Sequence, residues 1–161
     1  RLQDPGNVGS VLRSAAAFGF GQVLALQGTA ALWSPKVLRA GMGAHFGLRL
    51  LETASLEDLQ SLQVPLFGTD VHQGPFLHEL VHQGQLPQKC AWVMGHEGQG
   101  VAEALAQRCV LTVRIPQPGG EESLNVAAAA AICWCSASIV RILCSIFRYV
   151  TSNSFTFSTT L

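Results

Sequence analysis

Ile115-Pro116-Gln117-Pro118-Gly119-Gly120-Glu121-Glu122-Ser123-Leu124-Asn125-Val126, followed by five alanines and Ile132, is the stretch from which the rest of the chain can be read. A short apolar run ends in proline. A Gly-rich, acidic loop follows, then Ser-Leu-Asn, then a helix of very small residues. Small side chains let a helix approach another backbone closely. Ser123 and Asn125 bring hydrogen-bond donors and acceptors to its mouth. Two readings fit: a backbone-lined pocket at a loop-to-helix junction, or a buried helix that Ser123 caps, with Asn125 in its first turn.

Working outward, apolar runs alternate with helical patterns. Asp4-Pro5 reads as an N-cap followed by proline at the first helical position, and Val8, Val11, Leu12 and Ala15 recur at helical spacing until Gly19 and Gly21. Strands are expected over 22–26, 48–51, 65–69, 90–94 and 109–113. Short helices are expected from the Ser34-Pro35 cap signal to about Arg39, from the Ser55/Asp58 capping box to about Leu62, and over 101–107. Residues 71–88 read as loop with one helical turn, and a helix runs from Leu124 to about Phe147. Such alternation predicts an α/β fold, a parallel sheet flanked by helices on both faces. Ligands bind such sheets beyond the carboxyl ends of the strands. The loops 94–100 and 115–123 both leave strands at that edge and should face one site.

Composition bounds the answer further. The 161 residues are enough for one domain with a real core. Only 12% are charged, and the mean hydropathy is +0.31, so an obligate interface is expected. Net charge is zero but uneven: residues 1–50 carry +4, residues 51–100 carry −5. An anionic partner would dock on the first third if anywhere, the other reading being ordinary solvated surface. The five cysteines (Cys90, Cys109, Cys133, Cys135 and Cys144) sit mostly in apolar runs and read as buried reduced thiols. Cys133-Trp134-Cys135 lacks the spacer of a redox or zinc pair, and no metal site is expected. No signal peptide is visible.

Three segments carry a resemblance. They are Asp4-Pro5-Gly6-Asn7-Val8-Gly9-Ser10-Val11-Leu12-Arg13, Val93-Met94-Gly95-His96-Glu97-Gly98-Gln99-Gly100-Val101, and the stretch quoted first. In this order they resemble the three motifs of the SpoU/TrmH branch of the SPOUT RNA methyltransferases. The resemblance covers about Asp4 to Ile132 and implies S-adenosylmethionine-dependent methylation of a ribose 2′-hydroxyl in RNA. It also implies a homodimer with a C-terminal trefoil knot, which no periodicity reveals. Gly95, Ile115 and Leu124 would hold the cofactor mainly through backbone groups, with Ser123 and Asn125 closing the pocket. Read from its place after an apolar strand at the carboxyl edge, Asp70 could line the pocket through Thr69 or its own backbone. Asn7 would organise the site and Arg13 would stand next to the target ribose. Glu97, in a Gly-x-Glu-x-x-Gly loop, either faces the sulfonium or fixes the loop through amide hydrogen bonds. The other reading of Arg13 is a surface phosphate clamp or an ion-pair partner. The segment Lys36 to Phe46 looks like that of ribosomal-RNA members and tilts the substrate from transfer RNA to ribosomal RNA.

The termini depart from the family pattern. The hydrophobic strand that normally precedes the first motif is reduced to Arg1-Leu2-Gln3, so the chain is expected to begin within a domain. The separate N-terminal RNA-binding domain of many relatives is not expected within these residues. The methyltransferase domain is assigned to 1–132. Residues 133–161 form an atypical apolar helix and a Ser/Thr-rich tail, read as an interface helix or a foreign terminus. A membrane anchor is disfavoured by Arg141 and the serines. The thiols leave bacterial cytoplasm and an organelle matrix both open. His45, His72, His78, His82 and His96 receive no role, and Trp33, Trp92 and Trp134 read as core or interface. Two other classes of function compete: a non-catalytic RNA-binding or scaffold homologue, and an unrelated nucleotide-binding domain.

Overall fold

The opening helix α1 (Pro5–Ala17) starts where the sequence places its cap. The Asp4 carboxylate accepts the Asn7 backbone N–H at 2.6 Å, and Pro5 occupies the first turn. Val8, Val11, Leu12 and Ala15 form its buried stripe. In this computed structural model the described residues are 2–96, 98–119 and 124–152, with side chains described as far as Val140.

Five strands and four further helices follow. β1 (Gln22–Leu26) leads through α2 (Pro35–Gly41) and a 3-10 turn at Ala44–Gly47 to β2 (Arg49–Ala54). β3 (Leu66–Thr69), α3 (Leu77–His82), β4 (Ala91–Val93), α4 (Glu103–Ala106), β5 (Leu111–Val113) and α5 (Val126–Ser152) complete the order. All pairings are parallel, as the alternation of strand and helix requires. They form two sheets among the described residues: β1 with β2, and the order β4-β3-β5. The sequence leads one to expect a single sheet. A cavity of about 720 Å³ interrupts it, lined by β1 on one side and by Ala91, Trp92, Val93 and Met94 on the other.

Helix α5 spans the break. Val126, Ala130 and Trp134 join the core built around α1 and β1, while Cys133 and Val140 join the core around Phe67, Leu77 and Val113. Its small residues permit close approach. Ser138 reaches the Phe18 carbonyl at 3.0 Å, and the rings of Trp134 and Phe20 lie 5.3 Å apart. Trp92 and Trp134 thus belong to the core, as expected. Trp33 does not, being 49% exposed.

Several boundaries need correction. The helix expected over 101–107 shrinks to Glu103–Ala106, whereas the helical turn expected within 71–88 is present as α3. The Ser55/Asp58 box forms, with Ser55 N–H on Asp58 at 2.8 Å and Asp58 N–H on the Ser55 hydroxyl at 3.2 Å. It opens only a 3-10 turn, Asp58–Ser61. Ser34 stands at the N-cap of α2 but makes no side-chain cap hydrogen bond. Helix α5 runs to Ser152, past the expected Phe147. No helix among the described residues is long and apolar enough to cross a membrane.

Candidate active site at the carboxyl edge

Three strands end together. Gly68 is in register with Val93, and Thr69 with Val113, so Thr69, Met94-Gly95 and Arg114-Ile115 leave the sheet along one edge. Thr69 is half-buried, and its hydroxyl donates to the Val93 carbonyl at 3.3 Å, which ties β3 to β4 at that edge. Asp70 turns its carboxylate back onto its own loop, accepting the His72 and Gln73 N–H groups at 2.6 and 2.9 Å.

After β4 the chain folds into a tight ring. The His96 and Gly100 backbones exchange hydrogen bonds of 2.8 and 2.9 Å, and His96 Nδ1 accepts the Gly98 N–H at 3.1 Å. Gly95 is buried beneath this ring. A Cβ there would lie 2.2 Å from the Gly100 carbonyl carbon and 2.4 Å from the Val101 nitrogen. The glycine is needed for this close backbone approach. Glu97 lies outside the described residues.

The second loop leaves β5 through Arg114 and the half-buried Ile115. The Arg114 guanidinium stacks 4.2 Å over the Phe76 ring and donates to the Gly74 carbonyl at 2.7 Å, which anchors the loop's root. Next along is Gln117, whose Oε1 is buried with no partner among the described residues. A buried acceptor without a donor fits a ligand that brings N–H groups. Sequence reasoning passed over Gln117 because an amide among prolines and glycines reads as loop surface. Only its burial marks it.

The helix at the end of this loop settles the capping question for Asn125. Its Oδ1 accepts the Ala127 and Ala128 N–H groups at 2.9 and 3.3 Å, so Asn125 is itself the N-cap of α5 rather than a first-turn residue. Ser123, expected to cap or to close the pocket, lies outside the described residues, as do 120–122. Leu124 is exposed beside the cap. The Asn125 amide has a second task. Its Nδ2 donates to Asn7 Oδ1 at 2.9 Å, across 118 residues of sequence. The first and third motifs therefore meet by direct contact.

Arg13 is not drawn into that contact. It lies exposed on α1, six residues beyond Asn7. Gly9 explains its setting. A Cβ on Gly9 would meet Ala40 Cβ at 2.4 Å and the Gly41 nitrogen at 2.8 Å, so α1 and α2 cross at this point. Arg13, four residues on, stands one turn further along the same side of α1. Among the described residues no group of three His, Cys, Asp or Glu gathers as metal ligands do.

These features agree with known proteins. Residues 1–135 match the model of the SpoU rRNA Methylase family. The chain is 35% identical over 134 residues to the 23S rRNA (guanosine(2553)-2'-O)-methyltransferase RlmP of Bacillus subtilis, covering 81% of this chain and 52% of that one. It is 37% identical over 136 residues to the 23S rRNA (guanosine-2'-O-)-methyltransferase RlmB of Bordetella pertussis, covering 82% and 54%. In structure it is similar to the SpoU methyltransferase AviRb of Streptomyces viridochromogenes in complex with AdoMet. That match has a TM-score of 0.80 at 29% identity, over 89% of this chain and 58% of that one. The chain spans about half the length of the curated relatives it matches.

Proposed function

Since the chain belongs to the SpoU rRNA methylase family, we propose that it transfers a methyl group from S-adenosylmethionine to a ribose 2′-hydroxyl of RNA, ribosomal RNA in preference to transfer RNA. The observation that carries the proposal is the Asn125–Asn7 hydrogen bond, which joins the first and third motifs across 118 residues. The names of both curated relatives support the choice of ribosomal RNA.

The roles divide by type of group. The cofactor, when bound, supplies an electrophilic methyl. Backbone groups at Gly95, Ile115 and Leu124 hold it, Thr69 borders it, and the Gln117 acceptor takes one of its N–H donors. Asn125 and Asn7 fix the mouth of the site, and Ser123 and Glu97 keep the places the resemblance gives them. The attacking hydroxyl must give up its proton. Arginine stays protonated at neutral pH and is a poor base. Arg13 instead holds an RNA phosphate and stabilises the negative charge that develops on oxygen, and the proton leaves late, to solvent water. Positioning and electrostatics then supply most of the rate.

A homodimer belongs to the same proposal. Ile132 and Ile139 are exposed seven residues apart on α5, with the exposed Cys135 between them, so an apolar stripe faces away from both cores. The C-terminal trefoil knot, the division at residue 132 and a location in bacterial cytoplasm or an organelle matrix are carried over from the resemblance as part of this reading.

Calorimetric titration with S-adenosylmethionine tests it. Micromolar binding at about one per subunit is expected. Asn125→Asp keeps the helix cap but loses the donor to Asn7, so it should weaken binding at least tenfold while α5 stays folded by circular dichroism. A folded wild-type chain that binds RNA but no cofactor would favour the non-catalytic homologue.

A further inference from the structure

The segment from Gly28 to Leu50 contains no Asp or Glu, and carries Lys36, Arg39 and Arg49. Its surface is also unusually apolar. Phe46 is 87% exposed, Met42 71% and Trp33 49%. Lys36 and Arg39 are exposed among them. A surface that displays aromatic rings between cations, with the nearby Glu52 carboxylate engaged by the Leu32 N–H at 2.6 Å, has the chemistry of a single-stranded nucleic-acid platform.

The display is rigid. His45, the neighbour of Phe46, is buried, and its Nε2 donates to the Leu32 carbonyl at 2.8 Å. The Trp33 ring packs 5.2 Å from the His45 ring. The Phe46 N–H closes the 3-10 turn on the Gly43 carbonyl at 3.2 Å. This buried pin leaves Phe46 little choice but to point outward. The turn follows α2 directly, and α2 crosses α1 at Gly9, one helical turn from Arg13. The patch therefore adjoins the residue proposed to hold the target nucleotide.

The geometry points to this face as the docking surface for single-stranded RNA flanking the target ribose, with bases stacked on Phe46 and Trp33 and phosphates held by Lys36 and Arg39. The inference rests on the RNA methyltransferase reading above and adds to it the surface that receives the substrate. Unstacked bases offer a π-face to any aromatic ring, and each neutralised phosphate releases counterions, so the affinity should fall steeply with salt.

The test uses the full chain and a fluorescein-labelled, mixed-sequence single-stranded RNA of about 12 nucleotides, read by anisotropy, with cofactor affinity measured in parallel. Phe46→Ala should weaken RNA binding about tenfold or more. Phe46→Trp should restore it, and cofactor affinity should not move. Lys36→Ala and Arg39→Ala should each lower the slope of log affinity against log salt by about one. If wild type binds RNA and cofactor but Phe46→Ala binds RNA equally well, the docking surface is wrong and the enzyme reading stands. If Phe46→Ala instead shifts the sedimentation of the wild-type assembly with RNA affinity intact, the face is a protein contact and the inference falls. If wild type binds cofactor but no RNA, the substrate reading fails and takes this inference with it.

Discussion

The two sheets build the two halves of the site in different ways. Around β1 and β2, the proposed function is carried by side chains: Asn7 and Arg13 on α1, Trp33 ahead of α2, Lys36 and Arg39 on it, and Phe46 after it. Around β4, β3 and β5 it is carried by backbone, in the ring closed between His96 and Gly100 and in the loop rooted at Arg114. The first half is tolerant of small shifts, because long side chains can follow a moving partner. The second is not, because close-packed backbone has no side chain to yield. Each half has one glycine where this difference can be put to the test.

The largest effect is expected at Gly95. In Gly95→Ala the new methyl meets Gly100 and Val101 backbone, and overpacking of this kind costs about 1–3 kcal/mol or more. Cofactor binding should be lost in calorimetry even where circular dichroism shows a folded chain. An alanine that bound cofactor normally would mean the ring can open, and would erase the contrast between the halves.

A smaller and different effect is expected at Gly9. Gly9→Ala presses on Ala40 Cβ and the Gly41 backbone and should push α2 from α1, destabilising the fold by about 1–3 kcal/mol in denaturant titration. Because the strain falls on the side-chain half, RNA affinity should drop more than cofactor affinity. Equal losses would show that the halves move as one.

The smallest effect is chemical. Burial pushes the Cys133 thiol up to about 12, whereas Cys135 on the same helix is exposed. With a raised folded value, the neutral thiol's contribution to stability is complete below about pH 9 and is lost as pH rises toward 12. Iodoacetamide at pH 8 should therefore label Cys135 in minutes and spare Cys133 until the chain is unfolded, as peptide mass spectrometry would read. Early labelling of Cys133 would mean that α5 detaches from both cores.

How far the site could be read from sequence follows the same division. Asn7 and Asn125 were legible as partners of helix starts because the polar residue itself is the signal there. The parallel pairings were legible because strands and helices alternate. That Asn125 caps the helix instead of lying in its first turn was not, because Asn suits either place and only the hydrogen bonds to Ala127 and Ala128 decide. Gln117 and His45 were missed for one reason: a polar residue in a loop-like context reads as exposed, and burial is a property of the fold. The break between the sheets was also invisible, since strand patterns do not say which edges meet.

The hydrogen bond between Asn125 and Asn7 has a consequence in time. Its partners leave the ribosome 118 residues apart, roughly 6–24 s at synthesis rates of about 5–20 residues per second. Helix α1 can form at once, yet the cleft it borders has no second wall until α5 emerges. A nascent chain therefore lacks the Asn125–Asn7 contact until α5 docks, and that wall of the cleft arrives in a single late step.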